Sequence, residues 1–163
     1  MTGISVTLRA LHDGERDLEE ALLAAAERHR TEHEFRHVAI DCARWSREHS
    51  TRLAALGHHY GLDLPGPHDH PTPGALATLR EKAAEALGRR PETGLLLLND
   101  LRDLHLAAGR NSVHWEMLGQ AAQAARDERL LEFVSSCHPQ TLRQMRWTNT
   151  MIKVLSPQLL LST

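Results

Sequence analysis

The side chains best suited to chemistry are histidines at helix positions where leucine would pack better. His49 and His138 occupy such positions in two different predicted helices, and His105 and Glu116 lie at the margin of a third. Burying a polar side chain costs free energy unless it is paired. Imidazoles and a carboxylate in a dry layer suit one divalent metal, iron or zinc, with an open coordination position. These four residues therefore form a candidate metal or small-ligand site, and a hydrogen-bonded network that fixes helix register is the alternative.

The composition narrows the function classes. The chain has 163 residues, 41% hydrophobic and 25% charged, which is typical of one soluble globular domain. Nineteen basic and 21 acidic side chains give a net charge of −2, so no positive field favours nucleic acid or anionic lipid. Cys42 and Cys137 are too few for a disulfide framework and favour inert packing in a reducing cytoplasm. We find neither a membrane-length apolar run nor the order of a signal peptide.

Histidine is unusually frequent, with 12 copies. His58 and His59 suit the C-terminal end of a helix, and His12 and His29 are expected at the surface or at helix ends. Full protonation of all 12 would carry the net charge from −2 toward +10, so pH sensing is a third functional hypothesis. We find no serine-nucleophile motif, glycine-rich phosphate loop or Cys-x-x-Cys motif, and we expect no catalytic residues.

The elements that would position these residues are helices. Four prolines and three glycines interrupt the segment 61–74, which is predicted to be a linker. Elsewhere good helix formers dominate, and no stretch has the period-two alternation of a strand. We predict N-caps at Asp13 and Asp127, a capping box at Thr31–Glu34, and a final helix closed by Pro157. The predicted helices cover about 13–30, 32–60, 91–125 and 127–155, with a short helix at 75–88.

Four long helices predict an all-α four-helix bundle, and the length of the second connection bears on its topology. About 30 residues between the second and third long helices can run the length of the bundle, whereas a simple up-down bundle needs only a short loop. In the crossover form, His49 lies level with Glu116 and His138. In the simple form, Asp41 and Cys42 take its place, so topology and site are one prediction.

The predicted crossover bundle resembles the ferritin-like superfamily. The segment 115–158 is similar to uncharacterised bacterial proteins with such a bundle; it reads WEMLGQAAQAARDERLLEFVSSCHPQTLRQMRWTNTMIKVLSPQ. Ferritin-like di-iron proteins use two Glu-x-x-His motifs and a Glu from each of the other two helices. This chain has one such motif, Glu34-Phe-Arg-His37, at the start of a predicted helix. The resemblance therefore implies the architecture more than iron storage or oxidase chemistry.

A second apolar row predicts association. Trp147, Met151 and Val154 lie on the last predicted helix beside its inward row, and they favour a homodimer or a protein partner. The sequence thus supports two functions. The first is a ferritin-like bundle that binds one metal or small ligand in a His/Glu layer; the alternative is a non-catalytic accessory or assembly protein.

Overall fold

In a computed structural model, residues 2–67 and 93–162 are described, and they form helices joined by short turns. Within these ranges the predicted all-α fold is confirmed, and there are four long helices and no strand. No helix in the described ranges combines the length and apolarity that a bilayer span requires. The rest of the predicted linker (68–74) and the predicted short helix (75–88) lie outside the described residues. The helices are α1 (Gly3–Arg28), α2 (His33–Gly57), α3 (Thr93–Ala125) and α4 (Glu128–Leu160), and one 3-10 turn follows α2 (His58–Tyr60).

The first helix begins ten residues earlier than predicted. Thr2 caps α1 by accepting a hydrogen bond from the Ser5 amide, so the prediction of Asp13 as the cap is wrong. The inward row of α1 continues from Leu18 back through Glu15 to Leu11. Because Glu15 is polar, the hydrophobic pattern of the sequence does not show that the row is continuous. Gly14 lies inside the helix, where an added Cβ would clash with the Asn111 amide oxygen.

Two other helix ends differ from the prediction. The capping box at Thr31–Glu34 does not form, because the N-cap of α2 is Glu32 and no side chain caps the helix. Asp127 caps α4 as predicted, accepting a hydrogen bond from the Leu130 amide. Pro157 does not close α4, which continues to Leu160. A proline near a helix end forfeits only one intrahelical hydrogen bond, and its own carbonyl accepts from the Leu161 amide.

Side-chain contacts fix the helix directions. Glu19 of α1 contacts Arg47 of α2 near the middle of both helices, and Glu15 contacts His49, so α1 and α2 are antiparallel. Asp100, near the start of α3, binds Arg28 at the end of α1, which makes α1 and α3 antiparallel as well.

The buried apolar side chains form two clusters, one toward each end of the bundle. Polar side chains that are buried or nearly so separate them, and we call this set the polar layer. Cluster 1 contains Leu8, Leu11, Leu53, Trp115, Leu118, Leu130 and Phe133. Cluster 2 contains Leu18, Leu22, Phe35, Cys42, Leu97, Leu101 and Leu104. The polar layer contains Glu15, Glu19, Ser46, His49, Asn111, Gln140, Thr141 and Gln144.

The inner positions of α3 are buried from Leu97 to Ala122, whereas the inner surface of α4 has two halves. One half includes the predicted inward residue His138 together with Met145, and it faces α3. The other half faces α2 and includes Gln144 and Gln140. The helix is buried on both sides because it lies against two neighbours.

Two leucines of α3 provide a matched test of the core. Leu101 is 0% exposed inside cluster 2, whereas Leu106 is 62% exposed on the same helix. We expect Leu101→Ala to lower the free energy of unfolding by about 2–5 kcal/mol, because it removes buried methyl groups and leaves a cavity. Leu106→Ala should change it by less than about 0.5 kcal/mol. Urea unfolding followed by circular dichroism measures both; equal losses would contradict this division of the helix.

Candidate functional site

The centre of the polar layer is the Glu15 carboxylate, which is 0% exposed. Its Oε1 accepts a hydrogen bond of 3.2 Å from the Trp115 indole and lies 3.3 Å from His49 Nδ1. Its Oε2 is buried and has no hydrogen-bond partner among the described residues. The 3/4 spacing of Leu11, Glu15 and Leu18 directs this carboxylate inward. The Glu15 carboxylate thus occupies a position of the apolar row where leucine would pack better.

The imidazole of His49, on α2, contacts residues of the other three long helices. Its Nε2 is 2.7 Å from the Gln140 side-chain oxygen of α4, and its ring packs edge-on against Trp115 at 5.6 Å. Burial alone lowers the pKa of His49, but its close contact with the negatively charged Glu15 outweighs burial and raises the pKa above 6.5. Nε2 thus has a hydrogen-bond partner in Gln140, whereas Nδ1 has a charge contact with Glu15 without the geometry of a hydrogen bond.

Near Gln144, the polar layer consists of uncharged side chains. The Gln144 amide donates to the Cys42 carbonyl at 2.9 Å and to the Ser46 hydroxyl at 3.0 Å, which ties α4 to α2. Several buried atoms here have no hydrogen-bond partner among the described residues: Asn111 Nδ2, Thr141 Oγ1 and Gln144 Oε1. Buried polar atoms in folded proteins are almost always satisfied by protein, water or a bound group. The layer therefore has unused capacity for a small polar guest.

The structure brings together only part of the predicted site. His138 Nε2 is 2.9 Å from the Ser112 hydroxyl, and its Nδ1 is 3.9 Å from a carboxylate oxygen of Glu116. His105 Nδ1 contacts the Thr148 hydroxyl at 2.8 Å and takes no part in this pair. Both ring nitrogens of His49 contact other residues instead. Glu116 and His138 thus meet, whereas His49 and His105 each have different partners.

Helix geometry explains why His49 contacts Gln140 and not His138. Residues two apart on a helix lie about 200° apart around its axis, so His138 and Gln140 point in nearly opposite directions. His138 faces the groove between α3 and α4, where it and Glu116 line a surface cavity of about 340 Å³. His138 lies at about the level of His49 along the bundle. It is on the face of α4 toward α3, however, and not on the face toward His49.

The order Ser112, His138, Glu116 is that of a nucleophile, a base and an orienting carboxylate. Glu116 is 63% exposed and too far from the ring for a hydrogen bond. All three residues lie inside continuous helices, whose backbone amides are already paired and cannot form an oxyanion hole. The contact joins α3 to α4 and does not provide hydrolytic chemistry.

The donors present do not fit a di-iron centre. In the described ranges, no group of three or more His, Cys, Asp or Glu side chains is arranged to hold a metal ion. Glu15 and His49 are the strong metal donors that meet at the middle of the layer. Two ferritin-type irons require four carboxylates and two imidazoles. The predicted Glu34–His37 motif lies in the first turns of α2, away from this layer.

Comparison with known proteins adds no constraint on function. No family model, no curated protein and no solved structure matches this chain. The geometry of the polar layer therefore carries the functional argument.

Two histidines expected at the surface are buried. His12 is 0% exposed, and its Nε2 is 2.9 Å from the Pro65 carbonyl. Burial lowers the pKa of His12 below 6.5. His29 is 2% exposed and lies 2.6 Å from an Asp100 oxygen that Arg28 also contacts. His12 lies on the inner face of the part of α1 that precedes its predicted start, whereas His29 is the C-cap of α1, a helix end as expected.

The predicted partner-binding stripe is largely used inside the chain. Trp147 packs against Phe35 with ring centroids 5.4 Å apart, and Met151 lies against cluster 2. Val154 is 55% exposed. Only the last member of the predicted stripe is therefore open at the surface.

The two cysteines are buried and free, as expected of packing residues. Burial raises the pKa of Cys42 to about 12 and that of Cys137 to about 11. Thiols with such pKa values carry little thiolate at neutral pH, so they are poor nucleophiles.

The sequence analysis missed Glu15, Gln140 and Gln144. Glu15 could have been found, because it continues the row of Leu18 and Leu22 at helical spacing. The two glutamines have no comparable sequence pattern, since their positions are inward only because α4 packs against α2.

The Glu15–His49 pair predicts a reversal of a pKa shift. In Glu15→Gln, burial is opposed only by the smaller effects of the Gln140 hydrogen bond and the Glu48 charge, so the pKa of His49 should fall from above 6.5 to below it. Titration of the His49 ring protons by NMR measures the change. An unchanged pKa would show that Glu15 does not control this imidazole.

The same pair fixes the sign of a pH dependence of stability. The pKa of His49 is higher in the folded chain, so its contribution is complete below about pH 6.5 and is lost as pH rises through the folded pKa. In urea unfolding, the wild type should lose its stability advantage over Glu15→Gln as pH rises through that range. An advantage that grows with pH would contradict this sign.

Proposed function

We propose that this chain is a ferritin-like bundle of the bacterial cytoplasm that binds one small cation in its polar layer and does not use a di-iron centre. The cation is held by Glu15 and His49. The raised pKa of His49 favours the imidazolium, and its proton competes with a single divalent metal ion such as zinc or iron for the same position. Two buried free thiols support the reducing compartment.

The helix directions and the first part of the linker support the ferritin-like crossover. Since α2 and α3 both run opposite to α1, they point in the same direction, and the end of α2 and the start of α3 lie at opposite ends of the bundle. The described residues after α2 follow α1: the Ser5 hydroxyl donates to the Tyr60 carbonyl, and His12 contacts the Pro65 carbonyl. Ser5 and His12 are about 10 Å apart along α1 at 1.5 Å per residue. Residues 60–65 thus run along α1 toward the end where α3 begins.

The positions of the polar side chains in the layer support a metal centre that differs from the di-iron type. Ser46 and His49 have the i, i+3 spacing of a Glu-x-x-His motif on the second helix, with serine in place of glutamate. Thr141 and Gln144 have the same spacing on the last helix. Glu15 and Asn111 supply one inward side chain from each of the other two helices. The layer thus repeats the di-iron arrangement with most carboxylates and one imidazole replaced by uncharged groups.

One observation carries the proposal: a fully buried carboxylate has an oxygen without a donor. Taking a carboxylate out of water costs several kcal/mol unless a positive charge or hydrogen bonds compensate it. The Glu15 Oε1 has Trp115 and His49, whereas Oε2 has no protein donor within the described residues. A cation beside Glu15 and His49 would complete this site, with uncharged oxygens of the layer available to it.

Proton and metal compete because both require the same atom. A metal ion binds the deprotonated imidazole nitrogen, so binding at His49 Nδ1 releases its proton. The raised pKa of His49 therefore weakens metal binding at neutral pH and makes it stronger as pH rises. Tight binding is not expected, since two strong donors are fewer than the three of a typical catalytic zinc site.

Zinc titration of chelator-treated protein tests the proposal. We expect one zinc ion per chain by isothermal titration calorimetry, with affinity rising between about pH 6.5 and 8 as the imidazole loses its proton. Glu15→Gln should weaken binding at least about tenfold, since the carboxylate supplies the only negative charge of the pair. Glutamine has nearly the same shape as glutamate, so the variant should keep the fold.

Glu116→Gln is the matched control, because it changes a carboxylate beside a histidine that faces the outer groove. Its zinc affinity should equal that of the wild type. Zinc binding that survives Glu15→Gln would place the metal on other histidines and overturn the proposal. Loss of binding in Glu116→Gln would move the site to the groove between α3 and α4, and it would also overturn the proposal.

A second candidate function, assembly with another copy of the chain, is favoured by an exposed apolar row on α3. Leu106, Val113 and Met117 are 51–62% exposed at helical spacing, and Leu142 of α4 is 44% exposed. Exposed apolar side chains in such a row are typical of a contact surface. This row is separate from the stripe predicted on the last helix, of which Val154 remains exposed.

Sedimentation velocity tests self-association. If this row is the interface, the wild type should sediment as a dimer and Val113→Glu as a monomer. The matched control is Val154→Glu, which changes a similarly exposed valine of the originally predicted stripe and should remain dimeric. A wild type that is monomeric throughout the micromolar range would contradict the assembly function.

A further inference from the structure

A cleft lies between the end of α2 and the start of α4, away from the polar layer. It has a volume of about 410 Å³, within the range of small-molecule sites. Arg52 and His59 line it from the α2 side, and Arg129 and Ser136 line it from α4. A second cavity of about 440 Å³ adjoins it and shares His59 and Arg129. Two arginines thus face one concave surface.

Neither arginine forms a direct ion pair with a carboxylate of the described residues, although Arg129 is close enough to Asp127 to contribute to lowering the pKa of that carboxyl. Arg52 donates to the Ser136 hydroxyl at 2.8 Å and to the Cys137 sulfur at 3.4 Å, and Arg129 donates to His59 Nδ1 at 2.8 Å. None of these partners carries a negative charge. By contrast, Arg28, Arg44 and Arg47 each form an ion pair with a carboxylate. The guanidinium groups of the cleft therefore keep their charge available.

The Arg52 guanidinium is also held in place. It lies over the Phe133 ring at 5.0 Å from the centroid, which adds a cation–π contact to its two hydrogen bonds. A planar guanidinium fixed in this way can offer two parallel N–H donors to a carboxylate or phosphate. Little side-chain entropy is then lost when an anion binds.

The cleft has an apolar side as well. Ala55, Leu56 and Phe133 line it beside the arginines. Glu132 is the carboxylate among its lining residues, so two arginines face one carboxylate within the cleft, while Asp127 and Glu128 line the adjoining cavity. The balance is positive, which attracts an anion, and the apolar wall suits a hydrocarbon or aromatic group attached to it.

We propose that this cleft binds a small organic anion, whose carboxylate or phosphate is held by Arg52 and Arg129 and whose apolar part contacts Ala55, Leu56 and Phe133. The site is separate from the polar layer and does not rest on the function proposed there. Phosphate monoesters and carboxylates share the required chemistry, two or more oxygens on one charged group.

Binding of phenyl phosphate and of benzoate, each followed by NMR chemical shifts, tests the proposal and distinguishes the two anions. At least one probe should bind one-to-one, with the largest shifts at Arg52, Arg129 and Phe133. Inorganic phosphate should bind at least about tenfold more weakly, because it lacks the apolar part. Equal binding of inorganic phosphate, or no saturable binding of either probe, would overturn the proposal.

Three variants localise the anion. Arg129→Gln removes one charge from an exposed side chain and should weaken binding at least about tenfold without loss of structure. Ala55→Trp keeps both arginines but fills the cleft, and it should abolish binding. Arg143→Gln is the matched control, an exposed arginine of α4 outside the lining of the cleft, and it should bind as the wild type does.

The pattern across these variants decides the outcome. Binding that persists in both Arg129→Gln and Ala55→Trp would show that the anion sits elsewhere and would overturn the proposal. If Arg143→Gln weakened anion binding as much as Arg129→Gln does, the effect would be one of general charge, and this result would also overturn the proposal. Thermal melting by circular dichroism establishes that each variant is folded, and Arg129→Gln provides the decisive comparison if Ala55→Trp is not.

Discussion

A buried carboxylate in the middle of a helical bundle has to be compensated, and the rest of this structure is arranged around that requirement. Glu15 lies where α1 would otherwise present a leucine, and every neighbouring helix supplies a polar group nearby. His49 provides the positive charge and Trp115 a hydrogen bond. The apolar core is consequently divided into two clusters with the polar layer between them.

This arrangement favours a unique helix pairing over maximal stability. A fully apolar layer would pack α1 against its neighbours with less specificity, since hydrophobic contact has no preferred partner. A buried charge pair stabilises only the register in which both partners meet, and any slip leaves a charge unpaired. The contact between Gln140 and His49 extends this selection to α4. The polar layer therefore supports the proposed parallel course of α2 and α3 as well as the proposed cation site.

The two proposed sites differ in the way they use charge. In the layer, a negative charge is buried and selects a small cation that fits between helices. In the cleft beside α4, two arginines lie at the surface and keep their charge, so a larger anion can reach them from solvent. One bundle can carry both because they lie at different levels, the layer near the middle and the cleft beside the turn at Asp127.

The sequence by itself determined the helical class, the approximate bounds of α2, the C-terminal end of α3 and the start of α4. These depend on local spacing and capping, which neighbouring residues encode. It also gave the burial of His49. Tertiary structure decided which groups meet that ring, because the face of α4 toward α2 follows from packing on two sides. His138, two residues from Gln140, consequently points into another groove. The beginning of α1 was missed because Glu15 interrupts an otherwise apolar row, and only three-dimensional pairing with His49 reveals why a charge belongs there.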